Sequence, residues 1–290
     1  MTIKIVTDST CDLPPALAAS LDITVVPVYI NIGETSYRDK VDISRQTFYD
    51  NLYSYPIYPT TAAPATGTFT EVYERLTSEG ATAILSIHLS SALSNTYNAA
   101  RLGAAAANSA PVTLIDTEQI TLGSGLQVMM AAQAVSAGQS VADIVAMLAA
   151  YTPRAYVFGM IDTLESLRRS GRVNWASFGI GSLLQIKPVM LIHRSQIEVV
   201  ARVRARKRAQ QHMIDMVSAL GPFVHIGIIH VNAPEAAVEL AQAAKPLFPD
   251  AQDPLITEIT PAIGVHLGLG AVGFACLTTG DRVLDYAKII

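Results

Sequence analysis

Short apolar runs alternate with stretches of helical period along the first half of the chain. The apolar runs are rich in β-branched residues and predict buried strands over residues 3–7, 23–32, 82–87 and 112–115. The helical period predicts helices over residues 44–52, 66–79, 96–107, 124–137 and 141–150, and another that opens at residues 14–15. Because polar residues follow each strand, this alternation favours a parallel α/β sheet. Residues 53–64, which hold three prolines and three tyrosines, are interpreted as an exposed or site-forming loop.

The second half of the chain has a different pattern. Strands are predicted over residues 156–161, 185–193, 196–204, 223–231, 255–260 and 274–278, and helices over 163–170, 205–220 and 234–245. Two of these strands are separated only by Arg194 and Ser195, which indicates a hairpin. We therefore expect two domains: an N-terminal parallel α/β domain over residues 1–153, and a C-terminal α+β domain with a mixed sheet over residues 154–290.

Composition changes this picture in three ways. Hydrophobic residues make up 50% of the 290 positions and charged residues only 15%, and the mean hydropathy is +0.34. Even so, polar residues interrupt every long apolar run and no signal peptide is visible, so we expect a cytoplasmic protein with no transmembrane segment. Cys11 and Cys276 are too few for a disulfide framework. The net charge of -4 disfavours a dedicated nucleic-acid binder.

Polar side chains follow three strands of the predicted parallel sheet. Asp8, Ser90 with Ser91, and Asp116 stand where each strand ends, which is the edge at which open α/β sheets bind ligands. The acidic residues have no spacing typical of a metal site, so no metal and no cofactor are predicted. We expect Asp8 to hydrogen-bond a neighbouring loop.

Two clusters of hydroxyl groups lead into helices. Thr60 and Thr61 form one, and the segment of residues 90–96, with Ser94, forms the other. Helix capping explains either cluster by itself, since Ser, Thr and Asn are preferred N-caps. A helix N-terminus is also a ready site for an anion.

Residues 261–273 combine one imidazole, His266, with four glycines. The pattern of Gly268, Gly270 and Gly273 matches a dinucleotide fingerprint, but that fingerprint belongs between a strand and a helix. Here a strand follows, so we interpret the stretch as a glycine-rich loop that carries His266.

A basic run over residues 202–208 holds five arginines and lysines, and Arg168, Arg169 and Arg172 form a second group. One interpretation is a solvated surface. The other is a site for phosphate or an acidic partner. A regulator that binds nucleic acid through the run is a third interpretation, which the acidic net charge makes the weakest.

Taken together, these motifs resemble the DegV family. The resemblance rests on residues 7–9, 61–64, 90–97, 116–117, 123–125, 164–172, 186–188, 204–209 and 263–270. It spans the whole chain, and the ordered set is more specific than any single motif. It departs from the usual family pattern at Ala62, Ala63, Asn95, Ser170 and Leu269.

The resemblance implies two α/β domains with a long-chain fatty acid bound between them. Members resemble the lipid-binding subunit of bacterial fatty acid kinase, which has no catalysis of its own and presents the carboxylate to a separate ATP-dependent kinase that forms acyl phosphate. Thr61, Ser94 and His266 would bind the carboxylate. A role in phospholipid metabolism and transient contact with a membrane also follow from the resemblance.

Further residues are assigned by the same resemblance. Asn95, Thr96 and Gly268 would support the carboxylate site, and Arg204, or alternatively Arg202, would contact the kinase or the phosphoryl group. The competing hypothesis is an acyl hydrolase or transferase that uses Ser94, or alternatively Ser91, with His266. Acyl chain length and oligomeric state are not predicted.

Overall fold

A computed structural model of the chain describes residues 2–162, 165–170, 186–248 and 254–281. Its strands are β1 Ile3–Asp8, β2 Ile23–Val26, β3 Tyr29–Ile32, β4 Thr35–Arg38, β5 Thr60–Ala62, β6 Ala83–His88, β7 Val112–Asp116, β8 Ala155–Met160, β9 Lys187–His193, β10 Gln196–Val203, β11 Phe223–His230, β12 Leu255–Glu258 and β13 Val272–Thr278. Its helices are α1 Pro15–Ser20, α2 Arg45–Asn51, α3 Thr66–Ser78, α4 Thr96–Ala106, α5 Thr121–Ser136, α6 Val141–Tyr151, α7 Glu165–Ser170, α8 Arg206–Leu220, α9 Pro234–Ala243 and α10 Pro261–Leu267. Sequence predictions that fall on residues 163–164, 171–172 and 185 lie outside the described residues.

The N-terminal sheet is parallel, as predicted. Its strand order is β2-β1-β6-β7, and every neighbouring pair runs in the same direction. Helices α3 and α4 cover one face, where Phe69 and Tyr73 are fully buried against Val6 and Ile84. The carboxyl ends of β1, β6 and β7 therefore meet at one edge, which brings Asp8, His88 and Asp116 close together in the fold.

The predicted strand over residues 23–32 is in fact two strands that belong to different sheets. It breaks between Val26 and Tyr29, because Pro27 has no N–H to donate to a sheet ladder. The second piece, β3, pairs with β4 and β5 in a small antiparallel sheet. The loop predicted over residues 53–64 is wrong only at Thr60–Ala62, which form β5 and pair Thr61 with Ile30.

The C-terminal sheet is mixed, which confirms the predicted class. Its order is β10-β9-β8-β13-β11-β12, with antiparallel pairing everywhere except between β11 and β12. Arg194 and Ser195 form the predicted hairpin turn, with φ of 47° and 63°, the left-handed conformation that such two-residue turns require. Helices α8 and α9 cover the outer face of this sheet.

Helix α5 lies between the two sheets and is buried along most of its length. Most of its residues are apolar or small, because it packs against β1 on one side and β8 and β13 on the other. The same hydrophobic core therefore runs from the N-terminal sheet to the C-terminal sheet. The exact boundary after residue 153 stays a prediction. No helix in the described ranges has the length and apolar character to cross a bilayer.

The stretch of residues 261–273 is not the continuous loop that the glycines suggested. Residues Pro261–Leu267 form α10, with proline in its first turn, and Gly268 ends it with a φ of 82°. Gly270 has a φ of 83°, and β13 begins at Val272. The order is thus helix, turn and strand, which is the reverse of a dinucleotide fingerprint and agrees with its rejection.

Candidate lipid-binding site

A cavity of about 440 Å³ lies between the two sheets. Its volume falls in the range of sites for small-molecule ligands, which is about 300–1,000 Å³. Most of its polar lining comes from Thr61, Ser94, Asn95, Thr96 and His266, and Thr10 adds one more hydroxyl. The sequence prediction named the first five, which line one cavity although they lie up to 205 positions apart in the chain.

The rest of the cavity is almost entirely apolar. Its walls come from the N-terminal half through Val28, Leu89 and Ile120, and from the C-terminal sheet through Met190, Ile192 and Ile197. A second void of about 20 Å³ adjoins it, and the two share Ile120, Met190, Ile192 and Leu267. The apolar space therefore continues past Met190 towards the middle of the C-terminal sheet.

Gly159 lines this second void from strand β8. A Cβ placed on it would meet no atom within 4 Å. A glycine inside a central strand normally weakens the strand. At this position the missing side chain leaves open space in the void, which any larger residue would fill. The void ends at apolar residues such as Val157 and Ile229.

Thr61 reaches the cavity because β5 is a strand. Its neighbours Thr60 and Ala62 are exposed while Thr61 is half-buried, which is the alternation of a strand with one inward face. The Thr61 hydroxyl lies 3.4 Å from Nε2 of His266. Two residues predicted to bind the carboxylate, one from each half of the chain, therefore contact each other.

Ser94 stands at the entrance to α4. Its hydroxyl accepts a hydrogen bond from the backbone N–H of Thr96 at 3.2 Å and lies 3.0 Å from the Thr96 hydroxyl. Ser94 thus satisfies the first free amide of α4 from the position before the N-cap residue Asn95, whose own side chain makes no cap bond. Ser94 also lines the cavity, and its binding of an anion there stays a prediction.

His266 is held by the packing of α10. The helix lies so close to Tyr49 that a Cβ on Gly264 would be 2.0 Å from the Tyr49 hydroxyl oxygen, and only glycine fits there. The Tyr58 hydroxyl donates to the Val265 carbonyl at 2.6 Å. Both tyrosines belong to the N-terminal half, which therefore fixes the helix that carries His266.

The turn after α10 is held from the C-terminal half. Arg206 donates to the Gly270 carbonyl at 2.9 Å and to Asp162 at 2.7 Å, and Lys187 also pairs with Asp162 at 3.0 Å. Gly268 packs so tightly on Ser166 that a Cβ would lie 2.7 Å from the serine hydroxyl. Gly268 is outside the set of residues that line the cavity, and its support of the carboxylate stays a prediction.

Known proteins share this architecture along the whole chain. The family model described as "Uncharacterised protein, DegV family" matches residues 2–279. The chain belongs to the DegV family. A DegV domain-containing protein of Deinococcus radiodurans is 38% identical over 281 residues, which are 95% of this chain and 98% of that protein.

Solved DegV structures have the same two-sheet fold. A DegV family protein of Thermus thermophilus, whose structure is named for its fatty acid binding, is 31% identical with a TM-score of 0.88 over 96% of this chain and 100% of that one. DegV of Bacillus subtilis, named a fatty acid binding protein, is 28% identical with a TM-score of 0.86 over 96% and 100% of the two chains.

The basic run of this DegV family member divides into two kinds of residue. Arg202 lies in β10, Arg204 follows that strand, and both are exposed. Arg206 is instead bonded inside the protein, a structural role that the sequence prediction missed because its partner Asp162 is 44 positions away. Arg168 and Arg169 are exposed on α7, and Arg172 lies outside the described residues.

Asp8 belongs to a buried polar network beneath the cavity. Its carboxylate pairs with His88 Nδ1 at 2.9 Å, and His88 Nε2 lies 2.7 Å from the Ser86 hydroxyl. Burial raises the pKa of Asp8, but the charge and hydrogen bond of His88, with further hydrogen bonds from Thr10 and Leu89, hold that pKa below its ordinary value. The bond from the Leu89 N–H confirms the expectation that Asp8 hydrogen-bonds a neighbouring loop.

This network resembles a serine triad in its order, but it is enclosed. Ser86, His88 and Asp8 are each at most 1% exposed, so no substrate reaches the Ser86 hydroxyl. Its structural effect is to fix Leu89 and hence the segment that leads to Ser94. Among the residues that the structure describes, no three His, Cys, Asp or Glu side chains gather in a way that could hold a metal ion.

Proposed function

We propose that this protein binds a long-chain fatty acid between its two sheets and presents the carboxylate to a separate ATP-dependent kinase for acyl phosphate formation. The observation that carries the proposal is the cavity itself, a largely apolar space with polar groups from Thr61, Ser94 and His266, which we take to form its polar end. A fatty acid likewise joins one polar head group to an apolar chain. The naming of the Thermus thermophilus and Bacillus subtilis relatives for fatty acid binding supports the same ligand class.

The polar end offers hydrogen-bond donors to a carboxylate. Removing a carboxylate from water costs several kcal/mol unless it is paired or hydrogen-bonded. The hydroxyls of Thr61 and Ser94 can donate to it, His266 adds an imidazole N–H, and the first turn of α4 adds backbone amides at its positive end. Asn95 and Thr96 supply further donors at the same end.

The apolar end supplies affinity. Each methylene that leaves water contributes roughly 0.8 kcal/mol, so ten buried methylenes contribute about 8 kcal/mol. The acyl chain would run from His266 past Ile120 and Met190, with its methyl end near Gly159. Part of the large apolar content of the sequence then consists of residues that line this cavity.

The polar end is also the end that opens to solvent, which favours presentation to a partner. Ala62, Ala92 and Asn95 line the cavity and are exposed at the surface. The exposed Arg204 lies two residues from Arg206, which contacts the turn after α10. We assign Arg204, or alternatively Arg202, to contact with the kinase or the phosphoryl group, and we place the reaction in the cytoplasm.

In this proposal the chain has no catalysis of its own. A hydrolase that used Ser94 would need a general base on the Ser94 hydroxyl, whereas Nε2 of the candidate base His266 contacts the Thr61 hydroxyl and the Ser94 hydroxyl contacts Thr96. Turnover of an acyl ester or thioester by the protein alone, abolished in Ser94→Ala, would support the hydrolase or transferase instead.

Two measurements test the proposal. Denaturing extraction and mass spectrometry of protein purified from bacteria should release a fatty acid, and well-folded protein without lipid would count against it. Arg204→Ala should then keep fatty acid binding but lose acyl phosphate formation with the cognate kinase, with Lys207→Ala as a control in the same exposed run. Loss of lipid binding in Arg204→Ala would refute the division of roles.

A further inference from the structure

The segment just before α10 is hydrogen-bonded along its length to residues from the N-terminal half of the chain. The Thr257 hydroxyl donates to the Asp12 carbonyl at 2.7 Å, and Arg45 donates to the Glu258 carbonyl. The Tyr49 hydroxyl donates to the Ile259 carbonyl at 2.6 Å. We call residues 257–260 together with these N-terminal partners the clasp.

Thr260 is the last residue of the segment and receives the most contacts. Its backbone N–H donates to Asp12 Oδ1 at 2.8 Å, and its hydroxyl donates to Asp39 at 2.5 Å. Thr260 is the N-cap residue of α10, and its own carbonyl accepts from Ile263 and Gly264. The clasp therefore fixes the first turn of the helix whose last turn carries His266.

The clasp brings together three acids, Asp12, Asp39 and Glu258, and two bases, Arg45 and Lys40. Asp12 has no exposed side-chain surface, Arg45 Nη2 lies 3.2 Å from it, and Lys40 Nζ lies 3.9 Å away. Burial raises the pKa of Asp12 to about 6, against the lowering effects of Arg45, Lys40 and the Thr121 hydrogen bond. Burial also raises the pKa of Asp39, which Lys40 and Arg45 offset in part. Arg45 and Lys40 therefore offset part of the cost of taking the Asp12 carboxylate out of water.

We infer that Asp12 is a positioning residue for the carboxylate site: it sets the place of His266 by holding the start of α10 across the interface between the two halves. This inference rests on the proposed function, which gives His266 its ligand. Asp12 does not line the cavity, and it acts on His266 only through Thr260 and the helix.

Asp12 is suited to this task because all of its oxygens are used. One carboxylate oxygen holds Thr260, the other accepts from the Thr121 hydroxyl at the start of α5 at 2.7 Å, and the backbone carbonyl holds Thr257. Its backbone is left-handed, with a φ of 53°. Asp12 thus joins the turn after β1 to the starts of both α5 and α10. Helix α10 in turn lines the cavity through Ala262, Ile263 and His266.

The test compares Asp12→Ala with Asp12→Asn. The alanine removes the acceptor for the Thr260 N–H, whereas the asparagine keeps an oxygen at that position and can donate to Thr121. We expect the dissociation constant for a long-chain fatty acid, measured by displacement of a fluorescent acyl probe, to rise at least tenfold in Asp12→Ala. In Asp12→Asn we expect it to stay within about threefold of the wild type.

A matched control separates positioning from general destabilisation. Val217 is fully buried on the outer face of the C-terminal sheet, away from the cavity, and Val217→Ala lowers stability without touching the clasp. The imidazole resonances of His266, assigned with His266→Gln, are recorded in the ligand-free proteins. We expect them to move in Asp12→Ala and not in Val217→Ala, with His212 on α8 as an internal reference.

Each outcome bears on the inference. Unchanged His266 resonances in Asp12→Ala, or a loss of affinity no greater than that of Val217→Ala, would overturn it. If Asp12→Ala does not fold, Thr121→Val removes the hydroxyl that holds the second Asp12 oxygen, and we expect the same shifts with a smaller, about threefold, loss of affinity; unchanged resonances in that variant would overturn the inference. If the wild type binds no fatty acid, the proposed function fails, while the ligand-free His266 resonances still decide whether Asp12 positions that residue.

Discussion

Gly264 provides the sharpest test of how α10 is seated. A Cβ at this position would lie 2.0 Å from the Tyr49 hydroxyl oxygen and 2.8 Å from two atoms of its ring. Since non-bonded carbon contacts lie at about 3.5–4.0 Å, Gly264→Ala forces a separation of about 1.5 Å. Tyr49 cannot yield easily, because its hydroxyl is bonded to the Ile259 carbonyl and its ring packs edge-on against Phe48 at 5.5 Å. We therefore expect the helix to move instead.

The expected magnitude follows from these distances. Overpacking of this kind lowers the free energy of unfolding by about 1–3 kcal/mol. Tyr49→Phe costs roughly 1–3 kcal/mol by itself, because it leaves the Ile259 carbonyl without its donor. In the double variant the methyl group introduced at position 264 no longer meets a hydroxyl, so the worst overlap is gone. The double variant should therefore be more stable than the sum of the single changes predicts, by about 1 kcal/mol or more.

Urea denaturation of the wild type, both single variants and the double variant measures this coupling. His266 is two residues from Gly264, so the same displacement should disturb its 3.4 Å contact with Thr61. We expect fatty acid affinity to fall roughly tenfold in Gly264→Ala, equivalent to about 1.4 kcal/mol, and to recover in part in the double variant. Strictly additive unfolding free energies would refute the reasoning, because they would show that residues 49 and 264 do not compete for the same space.

Three further outcomes are expected. Gly159→Val should fill the inner void and weaken binding of the longest acyl chains by about 2 kcal/mol, because two or three methylenes lose their place, while shorter chains bind as before. Calorimetry with fatty acids of different chain length checks this. Equal weakening at all lengths would contradict it. The pKa of Asp12 is about 6 in the folded protein and near 4 in the unfolded chain. Between these pH values the folded state binds more protons than the unfolded state. The contribution of Asp12 to the free energy of unfolding should therefore fall as pH rises from about 4 to about 6. Asp12→Asn should lack this fall in urea titrations, and parallel pH profiles would show the account to be wrong. Arg206→Ala should weaken fatty acid binding by releasing the Gly270 carbonyl, whereas the exposed Lys207→Ala should not; equal effects would mean that Arg206 has no special structural role.

The parts of the fold that the sequence predicted are those with strong local signals. The hairpin at Arg194 and Ser195 needs only two residues in the left-handed conformation between alternating strands. The parallel order of β1 and β6 follows from apolar runs joined by helices. The family resemblance was confirmed over residues 2–279.

The elements that the sequence did not predict depend on distant contacts. Strand β5 is three residues long and exists because Thr61 pairs with Ile30 on β3. Helix α10 is short and contains Gly264, which lowers helix propensity. Its stability comes from the clasp and from Tyr49, whose partners lie about 200 positions away in the chain. A local pattern holds no information about such bonds.

The candidate site shows the same division. Thr61, Ser94 and His266 were named from the resemblance, and all three line one cavity, while their binding of a carboxylate stays a prediction. The positioning residues Asp12 and Arg206 were not singled out for this role, because an acid after a first strand and an arginine in a basic run have several ordinary explanations. Only their burial and bonding partners distinguish them.

A crystal structure with a long-chain fatty acid tests the central claim most directly. The account predicts that the carboxylate oxygens lie within hydrogen-bond distance of the Thr61 and Ser94 hydroxyls and the His266 imidazole, with the acyl chain running past Met190 towards Gly159. An acyl chain bound in the opposite direction, or a fatty acid found outside this cavity, would contradict it.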